Sequence, residues 1–117
     1  MNTRFKGNVG EALAKKHLKK LGYKILCENY HASKMAEVDI IAKDKDTLVF
    51  VEVKSRHNTI NGYGREAVTK QKQQNIIYGA KHYLTTVVKK EVPVRFDVVE
   101  ITFLDEVPTL EHIQNAF

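Results

Sequence analysis

Cysteine is almost absent from this sequence: its 117 residues include only Cys27. A single cysteine excludes an internal disulfide, and because Cys27 lies among apolar residues, we interpret it as a packing residue rather than a nucleophile. The sequence also lacks an apolar run long enough to cross a bilayer, and no hydrophobic segment typical of a signal peptide follows Met1. These absences predict a cytoplasmic protein that has no membrane partner.

Two common kinds of binding site are missing as well. The five histidines share no spacing typical of zinc ligands, which argues against a zinc site. There is no Walker A motif, and Gly62-Tyr63-Gly64 lacks the glycine pattern of a phosphate-binding loop. We therefore interpret residues 55–65 as a polar loop. Four of its side chains are candidates for contact with a nucleic-acid backbone or base, with an ordinary solvated loop as the alternative: Arg56, His57, Tyr63 and Arg65.

What the sequence does contain is the composition of an ordinary globular protein with an excess of positive charge. Apolar residues make up 43% of the chain and charged residues 28%, which suits a single domain over residues 1–117. The formal net charge of +5 favours a polyanionic partner, although any one surface cluster of lysines is more often solvated than bound. The basic clusters are Lys15-Lys16, Lys19-Lys20, residues 54–56, residues 70–72 and Lys89-Lys90.

Hydrophobic periodicity predicts two helices and four strands. For the first helix, Asn8 is the expected N-cap, Glu11 has capping-box spacing and Gly22 supplies a C-terminal stop. The tail from residue 104 onward predicts only a short terminal turn. Because a hairpin is combined with crossover connections, the order predicts an α/β fold, an αβββαβ core with a mixed four-stranded sheet flanked by helices. The predicted elements are a helix at 8–21, strands at 23–29, 36–42 and 48–54, a helix at 66–87 and a strand at 94–103.

The second and third strands carry acidic residues on a side that should be apolar. A four-residue loop, residues 44–47, sets the hairpin register so that Ile41 faces Phe50 and Asp39 faces Glu52. In that register the two acids share one face of the sheet, with Cβ atoms roughly 5 Å apart. Carboxylates so close repel each other unless a cation lies between them. Hard oxygen ligands predict Mg²⁺ or Mn²⁺ rather than Zn²⁺.

Lys54 follows Glu52 by two residues and therefore points to the same side of its strand. A lysine in that place can orient an attacking water or stabilise phosphate charge in a transition state. The alternative is an exposed sheet edge with an ordinary Asp/Glu/Lys salt-bridge cluster. The apolar neighbours Phe50, Val51 and Val53 make that alternative the weaker interpretation.

Both helices place a charged residue beside or within an apolar stripe. In the first helix, Glu11 lies beside Leu18 on the helix surface, at the border of the apolar stripe. It either faces a polar site or, as its capping-box spacing allows, only caps the helix N-terminus. In the second helix, Lys72 falls inside the apolar arc, one turn from both Val68 and Ile76. A lysine there either snorkels along the helix or projects into a polar site.

The order and spacing of these features are specific enough to indicate a family. Over roughly residues 5–102 the sequence resembles the YraN-like family of endonuclease-like proteins and, more remotely, the PD-(D/E)xK nuclease superfamily that includes archaeal Holliday-junction resolvases. Two positions depart from the pattern, since Val38 stands in place of proline and Ala36 in place of a usual glycine. The segments that carry the resemblance are Gly7-Asn8-x-Gly10-Glu11-x-x-Ala14, Gly22-Tyr23, Glu37-Val38-Asp39-Ile40-Ile41-Ala42, Val49-Phe50-Val51-Glu52-Val53-Lys54-x-Arg56, Ala67-Val68 with Lys72, and Arg95-Phe96-Asp97-Val98.

The resemblance implies a restriction-endonuclease-like fold and assigns roles to individual residues. It carries the metal-binding aspartate of the superfamily onto Asp39, the second acid onto Glu52 and the catalytic lysine onto Lys54. It also places the glutamate of the first helix at Glu11 and the basic residue of the second helix at Lys72. These are the positions that face periodicity singles out.

We therefore predict a Mg²⁺- or Mn²⁺-dependent endonuclease that hydrolyses DNA phosphodiester bonds. Asp39, Glu52 and the main-chain carbonyl of Val53 would hold the ion. Glu11 would complete the site or bind a second ion, and Lys54 would position the attacking water. The predicted contacts with DNA are Lys72, Arg56 and Arg65 to backbone phosphates and Tyr63 to a base.

Two other functions stay open at this point. One is a nucleic-acid-binding protein that keeps the nuclease fold but does not cut, and the other is a small partner-binding protein whose acids are paired in salt bridges. The intact set of two acids and a lysine favours cleavage. A branched DNA substrate would suit a homodimer, because a two-fold junction matches a two-fold protein.

Overall fold

A five-stranded sheet with one helix against each face forms the body of the protein. The computed structural model describes residues 3–57, 68–104 and 106–117. No helix in those ranges is long and apolar enough to span a membrane. The elements are α1 (Thr3–Lys20), β1 (Lys24–His31), β2 (Glu37–Asp44), β3 (Thr47–Arg56), α2 (Lys70–Tyr83), a π-helical turn (Leu84–Val88), β4 (Val94–Thr102) and β5 (Thr109–Ile113).

The strands lie in the sheet in chain order, β1-β2-β3-β4-β5. Among the strands that the structure describes, β3 and β4 are parallel and the other neighbouring pairs are antiparallel. A parallel pair needs a long crossover, and the chain between β3 and β4 contains α2. The predicted α/β fold with a mixed sheet is therefore confirmed, and this architecture is compatible with a restriction-endonuclease-like fold.

The predicted number of strands is wrong, because the tail adds a fifth. Residues Thr109–Ile113 pair antiparallel with β4, from Val98 opposite Ile113 to Thr102 opposite Thr109. A five-residue strand with exposed and half-buried side chains has too little alternation to be distinguished from a turn.

Each face of the sheet buries its own apolar core. The core on the α1 side places two helix residues, Ala14 and Leu18, against strand side chains of Ile40, Val49 and Val51. The core on the α2 side is built around Phe50 and Ile41 in the sheet, packed by the helix residues: Ile76, Ala80 and Tyr83. The strands are therefore fixed from both sides, which holds the acidic positions of β2 and β3 in place.

The first helix begins earlier than predicted. It starts at Thr3, so Asn8 lies inside α1 and the capping-box role of Glu11 is wrong. An N-cap is worth about 1 kcal/mol, which does not stop a helix when the preceding residues can continue it. The predicted stop is confirmed, because Gly22 has a left-handed φ of 93° directly after the last turn.

A β-bulge alters the faces of the first strand. The periodicity places Ile25 and Cys27 on one face, but Ile25 pairs with Ala42 and Cys27 with Ile41, which leaves Leu26 as the extra residue. Ile25 consequently packs in the α1-side core and Cys27 in the α2-side core. The prediction that Ile25 and Cys27 lie on the same face is therefore wrong, whereas the predicted packing role of Cys27 is confirmed.

The second helix is followed at its C-terminal end by a wider, π-helical turn. Its first residue is Lys70, and Thr69 caps it by accepting a hydrogen bond from the Lys72 amide at 3.1 Å; the predicted start at residue 66 lies outside the described residues. At the other end a π-helical turn closes through Lys89 N and Leu84 O at 2.8 Å. The wider turn rotates Val87, which the predicted apolar arc includes, into solvent at 55% exposure.

A buried carboxylate on β4 connects the ends of several elements. Asp97 is fully buried, and Arg95 donates to both of its oxygens at 2.9 and 3.0 Å. His112 of β5 lies 2.7 Å from Asp97 Oδ2, and the Asn115 amide donates to Oδ1 at 3.2 Å. Arg95 also donates to Tyr23 Oη, which follows α1, at 2.6 Å.

The hydrogen bonds around Asp97 determine its charge. Burial alone would raise the pKa of this carboxyl, but the hydrogen bonds from His112 and Arg95 outweigh burial and lower it below the usual value of 3.8. Asp97 is therefore a paired, buried anion, and sequence periodicity gave no sign of this role. We conclude that it holds β5 and the tail to the sheet.

We expect Asp97→Asn to lower the free energy of unfolding by about 2–3 kcal/mol, because Arg95 and His112 lose a buried charged partner while Arg95 keeps its ion pair with Asp44 at 3.2 Å. Urea unfolding at pH 7 measures this change, with exposed Glu111→Gln on β5 as the control. Since the folded pKa of Asp97 is lowered, its stabilisation is present above about pH 4 and is lost as the pH falls further. Equal stability of the two variants would contradict the role assigned to Asp97.

Candidate functional site

The candidate site lies where β2 and β3 separate. Their ladder confirms the predicted pairing of Ile41 with Phe50, but its last pair is Ile40 with Val51, so the predicted pairing of Asp39 with Glu52 is not part of the ladder. Beyond that pair a side-chain contact replaces the main-chain hydrogen bonds of the ladder: Asp39 Oδ2 accepts a hydrogen bond from the Val53 amide at 2.8 Å. The strands thus open into a cleft while the Asp39 carboxylate keeps them at a fixed separation.

Glu52 lies in this cleft with little access to water. Its side chain is 5% exposed, and its Oε2 accepts no hydrogen bond from any residue that the structure describes. Lys72 Nζ lies 3.5 Å from that oxygen. A charge-assisted hydrogen bond is usually shorter, about 2.7–2.9 Å, so the lysine compensates the carboxylate only in part.

The two carboxyl groups influence each other strongly. Burial, a side-chain hydrogen bond with Glu52 and the charge of Glu52 together raise the pKa of Asp39 to about 8. The Val53 amide and the Lys72 ammonium oppose this rise without cancelling it. Without a further cation, the pair therefore retains a proton at neutral pH.

All five predicted catalytic residues line one cleft of about 290 Å³. Its walls are formed by Glu11 from α1, Asp39 from β2, a stretch of β3 and Lys72 from α2. Lys72 projects towards Glu52, so the snorkelling alternative for this lysine is wrong. The β3 residues of the wall are Glu52, Val53, Lys54 and Ser55.

Glu11 belongs to the acidic wall of the cleft. Burial, followed by the charge of Asp39, raises the pKa of Glu11, while a hydrogen bond from the Asn29 side chain lowers it. Among the described residues, no group of three or more Asp, Glu, His or Cys side chains is placed to hold a metal ion by itself. A cation here would therefore need main-chain oxygen or water in addition to the carboxylates.

Sequence reasoning missed two residues that shape the cleft. Ser55 was assigned to the loop, but β3 continues to Arg56, so Ser55 lines the cleft. A methyl group on Gly10 of α1 would lie 2.4 Å from Ser55 Oγ, so a larger residue at that position would require the Ser55 hydroxyl or the helix to move. Asn29, the partner of Glu11, has a left-handed φ of 52°, a conformation that asparagine tolerates better than most residues.

The residues predicted to contact DNA do not share one environment in the structure. Arg56 is ion-paired with Glu100 of β4, Nε to Oε1 at 3.1 Å, and its side chain is only 14% exposed. Its position therefore gives it a structural role between β3 and β4. Lys72 is half-exposed at the mouth of the cleft. Tyr63 and Arg65 lie outside the described residues.

Comparison with known proteins places this chain among a group of bacterial relatives. The profile of the family described as "Uncharacterised protein family UPF0102" matches residues 10–101. A UPF0102 protein of Clostridioides difficile is 44% identical over 117 residues, and one of Caldicellulosiruptor saccharolyticus is 44% identical over 119 residues; both alignments cover 100% of each chain. A UPF0102 protein of Geotalea daltonii is 46% identical over 112 residues, which cover 95% of this chain and 87% of the relative.

We expect the metal-free protein to lose stability as the pH rises from about 4 to above 8. The raised pKa of Asp39 means that its favourable protonated form is fully present at low pH and is lost as the pH passes through about 8. Asp39→Asn mimics the protonated form and should gain on the order of 2 kcal/mol over wild type at pH 8.5. Urea unfolding in EDTA at pH 6 and 8.5 measures the difference.

The control for this experiment is Glu91→Gln, which removes an exposed carboxylate outside the cleft. It should follow the wild type at both pH values. A wild-type protein whose stability is the same at pH 6 and 8.5, with no gain in Asp39→Asn, would show that the two acids are not strained by their proximity.

Proposed function

This chain belongs to the UPF0102 family, which is the YraN-like family, and we propose that it is a divalent-metal-dependent endonuclease acting on DNA. The observation that carries the proposal is the buried Glu52 carboxylate, whose Oε2 accepts no hydrogen bond from the described residues although Asp39 lies beside it. An arrangement of this kind is costly unless a cation joins it. The two lysines of the same cleft supply what phosphodiester chemistry needs besides the cation.

The donor atoms of the cleft fit a hard divalent ion. Mg²⁺ and Mn²⁺ prefer carboxylate and carbonyl oxygens with water in the remaining positions, and the cleft offers no sulfur or imidazole ligand among its lining residues. Asp39, Glu52 and the main-chain carbonyl of Val53 would hold one ion. Glu11 would complete its surroundings or hold a second ion.

In this proposal each residue of the cleft has its own role in hydrolysis. A bound divalent ion would polarise the scissile phosphate and neutralise developing negative charge. Lys54 would hold the attacking water and stabilise charge on the phosphate oxygens. Lys72 would keep Glu52 oriented through its contact at 3.5 Å and present its half-exposed ammonium to a phosphate. The Val53 amide fixes the Asp39 carboxylate, so the ligand geometry is set before substrate arrives.

We expect Mn²⁺ or Mg²⁺ to raise the melting temperature of the wild type in a saturable way. At a hundredfold excess over Kd, binding to the folded state alone adds about 2.7 kcal/mol. Asp39→Ala and Glu52→Gln should abolish the shift, whereas Glu91→Gln should keep it. A shift of equal size in all four proteins would mean that the ion binds elsewhere.

Cleavage is tested on a panel of linear, flapped and four-way-junction DNA with each metal. We expect Lys54→Ala to lower kcat by about 10²-fold or more while it keeps the metal-induced thermal shift, because Lys54 acts on water and phosphate rather than on the ion. Asp39→Ala should remove both cleavage and the shift. The matched control is Lys34→Ala, an exposed lysine before β2 that is absent from the cleft.

A wild-type protein that binds DNA but cuts no member of the panel would support the alternative of a non-catalytic nucleic-acid-binding protein. A junction preference would extend the proposal to branched DNA and a homodimer, which sedimentation at the same protein concentration tests.

A further inference from the structure

The segment from Thr69 to Lys90 has an unusual charge pattern. It comprises α2, the π-helical turn and three further residues, and it contains five lysines and one histidine but no acidic residue. The two ends of this segment are separated by the length of the helix, so the positive charge extends along the molecule. Such a surface favours a polyanion over a neutral partner.

One side of α2 faces solvent along its whole length. At about 100° per residue, five exposed side chains fall within an arc of about 80° that lies opposite the buried Ile76 and Tyr83. At about 1.5 Å per residue, the first and last of them are separated by about 22 Å. These five residues, the last of which belongs to the π-helical turn, define the outer face of α2: Lys70, Gln74, Tyr78, Lys81 and Thr85.

Tyr78 is the exception on this otherwise polar face. Its side chain is 56% exposed, and it borders a shallow groove of about 270 Å³ whose other walls are Lys81, His82, Thr85 and Thr86. No other ring among the described residues lies against it. The core therefore gains little from this aromatic ring, which leaves its face free to stack.

The outer face of α2 is connected to the cleft by the same helix. Lys72, in the first turn, contacts Glu52, and Tyr78 lies six residues further on, about 9 Å along the helix axis. Around the helix, Lys70 and Tyr78 lie about 160° and 120° from Lys72. A DNA strand that leaves the cleft at the start of α2 and crosses over the helix would therefore meet Lys70 and then Tyr78.

We propose that the outer face of α2 binds a single-stranded DNA segment that leaves the cleft, with a base stacked on Tyr78 and phosphates contacted by Lys70 and Lys81. This proposal rests on the proposed nuclease function and names the form of DNA that the site takes. An exposed aromatic ring between cations is the pattern of a single-strand binding surface, because unpaired bases offer their faces for stacking. A duplex keeps those faces inside its stack and would use the lysines alone.

The test measures binding of a fluorescein-labelled oligo-dT strand and of a hairpin duplex by anisotropy in EDTA, where no cleavage can occur. We expect Tyr78→Ala to weaken binding of the single strand by roughly tenfold and to leave duplex binding within twofold of wild type. Tyr78→Phe, which keeps the ring, should bind the single strand like the wild type. Thermal unfolding of each variant verifies that it is folded, as expected for a residue outside the core.

The proposed contact between Lys81 and a phosphate is tested separately, through the salt dependence of DNA binding. We expect Lys81→Gln to reduce the slope of log K against log salt by about 0.7 for the single strand, the value for one phosphate contact. Lys34→Gln, at an exposed position before β2, should leave the slope unchanged. A slope that is the same in all three proteins would overturn the contact.

Several outcomes would overturn the single-strand proposal as a whole. They are absence of oligo-dT binding by the wild type, equal binding by wild type and Tyr78→Ala, and equal weakening of strand and duplex by that substitution. These outcomes differ from failure of the nuclease proposal, in which wild type cuts no DNA yet Tyr78→Ala still loses strand binding. Asp39→Ala separates the two, because it should lose cleavage while it binds oligo-dT as the wild type does.

Discussion

The hydrogen bond from the Val53 amide to the Asp39 carboxylate is the constraint on which the candidate site depends. It replaces a main-chain contact at the point where the β2–β3 ladder ends, so the two strands separate without losing their relative position. The separation opens the cleft, and the same bond keeps Asp39 beside Glu52 although their charges repel. The two apolar cores, which clamp the sheet from both faces, supply the stability that holds this unfavourable pair together.

Other acids are buried as well, and a comparison of Glu52 with one of them, Asp97, shows how a candidate site differs from a structural contact. Asp97 accepts two hydrogen bonds from Arg95 and others from β5 and the tail, so its charge is fully compensated and the pKa is lowered. Glu52 has a lysine at 3.5 Å and shares a side-chain hydrogen bond with Asp39, whose pKa is raised. Burial is common to both acids, whereas the absence of compensation among the described residues is specific to the cleft. Incomplete compensation is therefore the better indicator of a ligand site here.

The parts of the structure that sequence predicted are those set by local periodicity. The hairpin register from Asp44 to Ile40 follows from the loop length and the strand alternation, and it predicts the proximity of Asp39 and Glu52 at the end of the ladder. The bulge at Leu26 and the π-helical turn each depend on one inserted residue that tertiary packing favours, so periodicity placed Cys27 and Val87 wrongly. The buried role of Asp97 depends on contacts with residues far away in sequence, which no local pattern reveals.

The close approach of α1 to β3 has a consequence for how the family can change. Gly10 lies against Ser55, so the helix backbone sits as near to the end of the strand as atoms permit. A larger residue there would require either rotation of the Ser55 hydroxyl or displacement of α1, in which Glu11 is the next residue. A residue that contributes no functional group therefore influences the width of the cleft. Substitution at position 10 offers a way to change the distance between Glu11 and the acids of the sheet without altering any residue that lines the cleft.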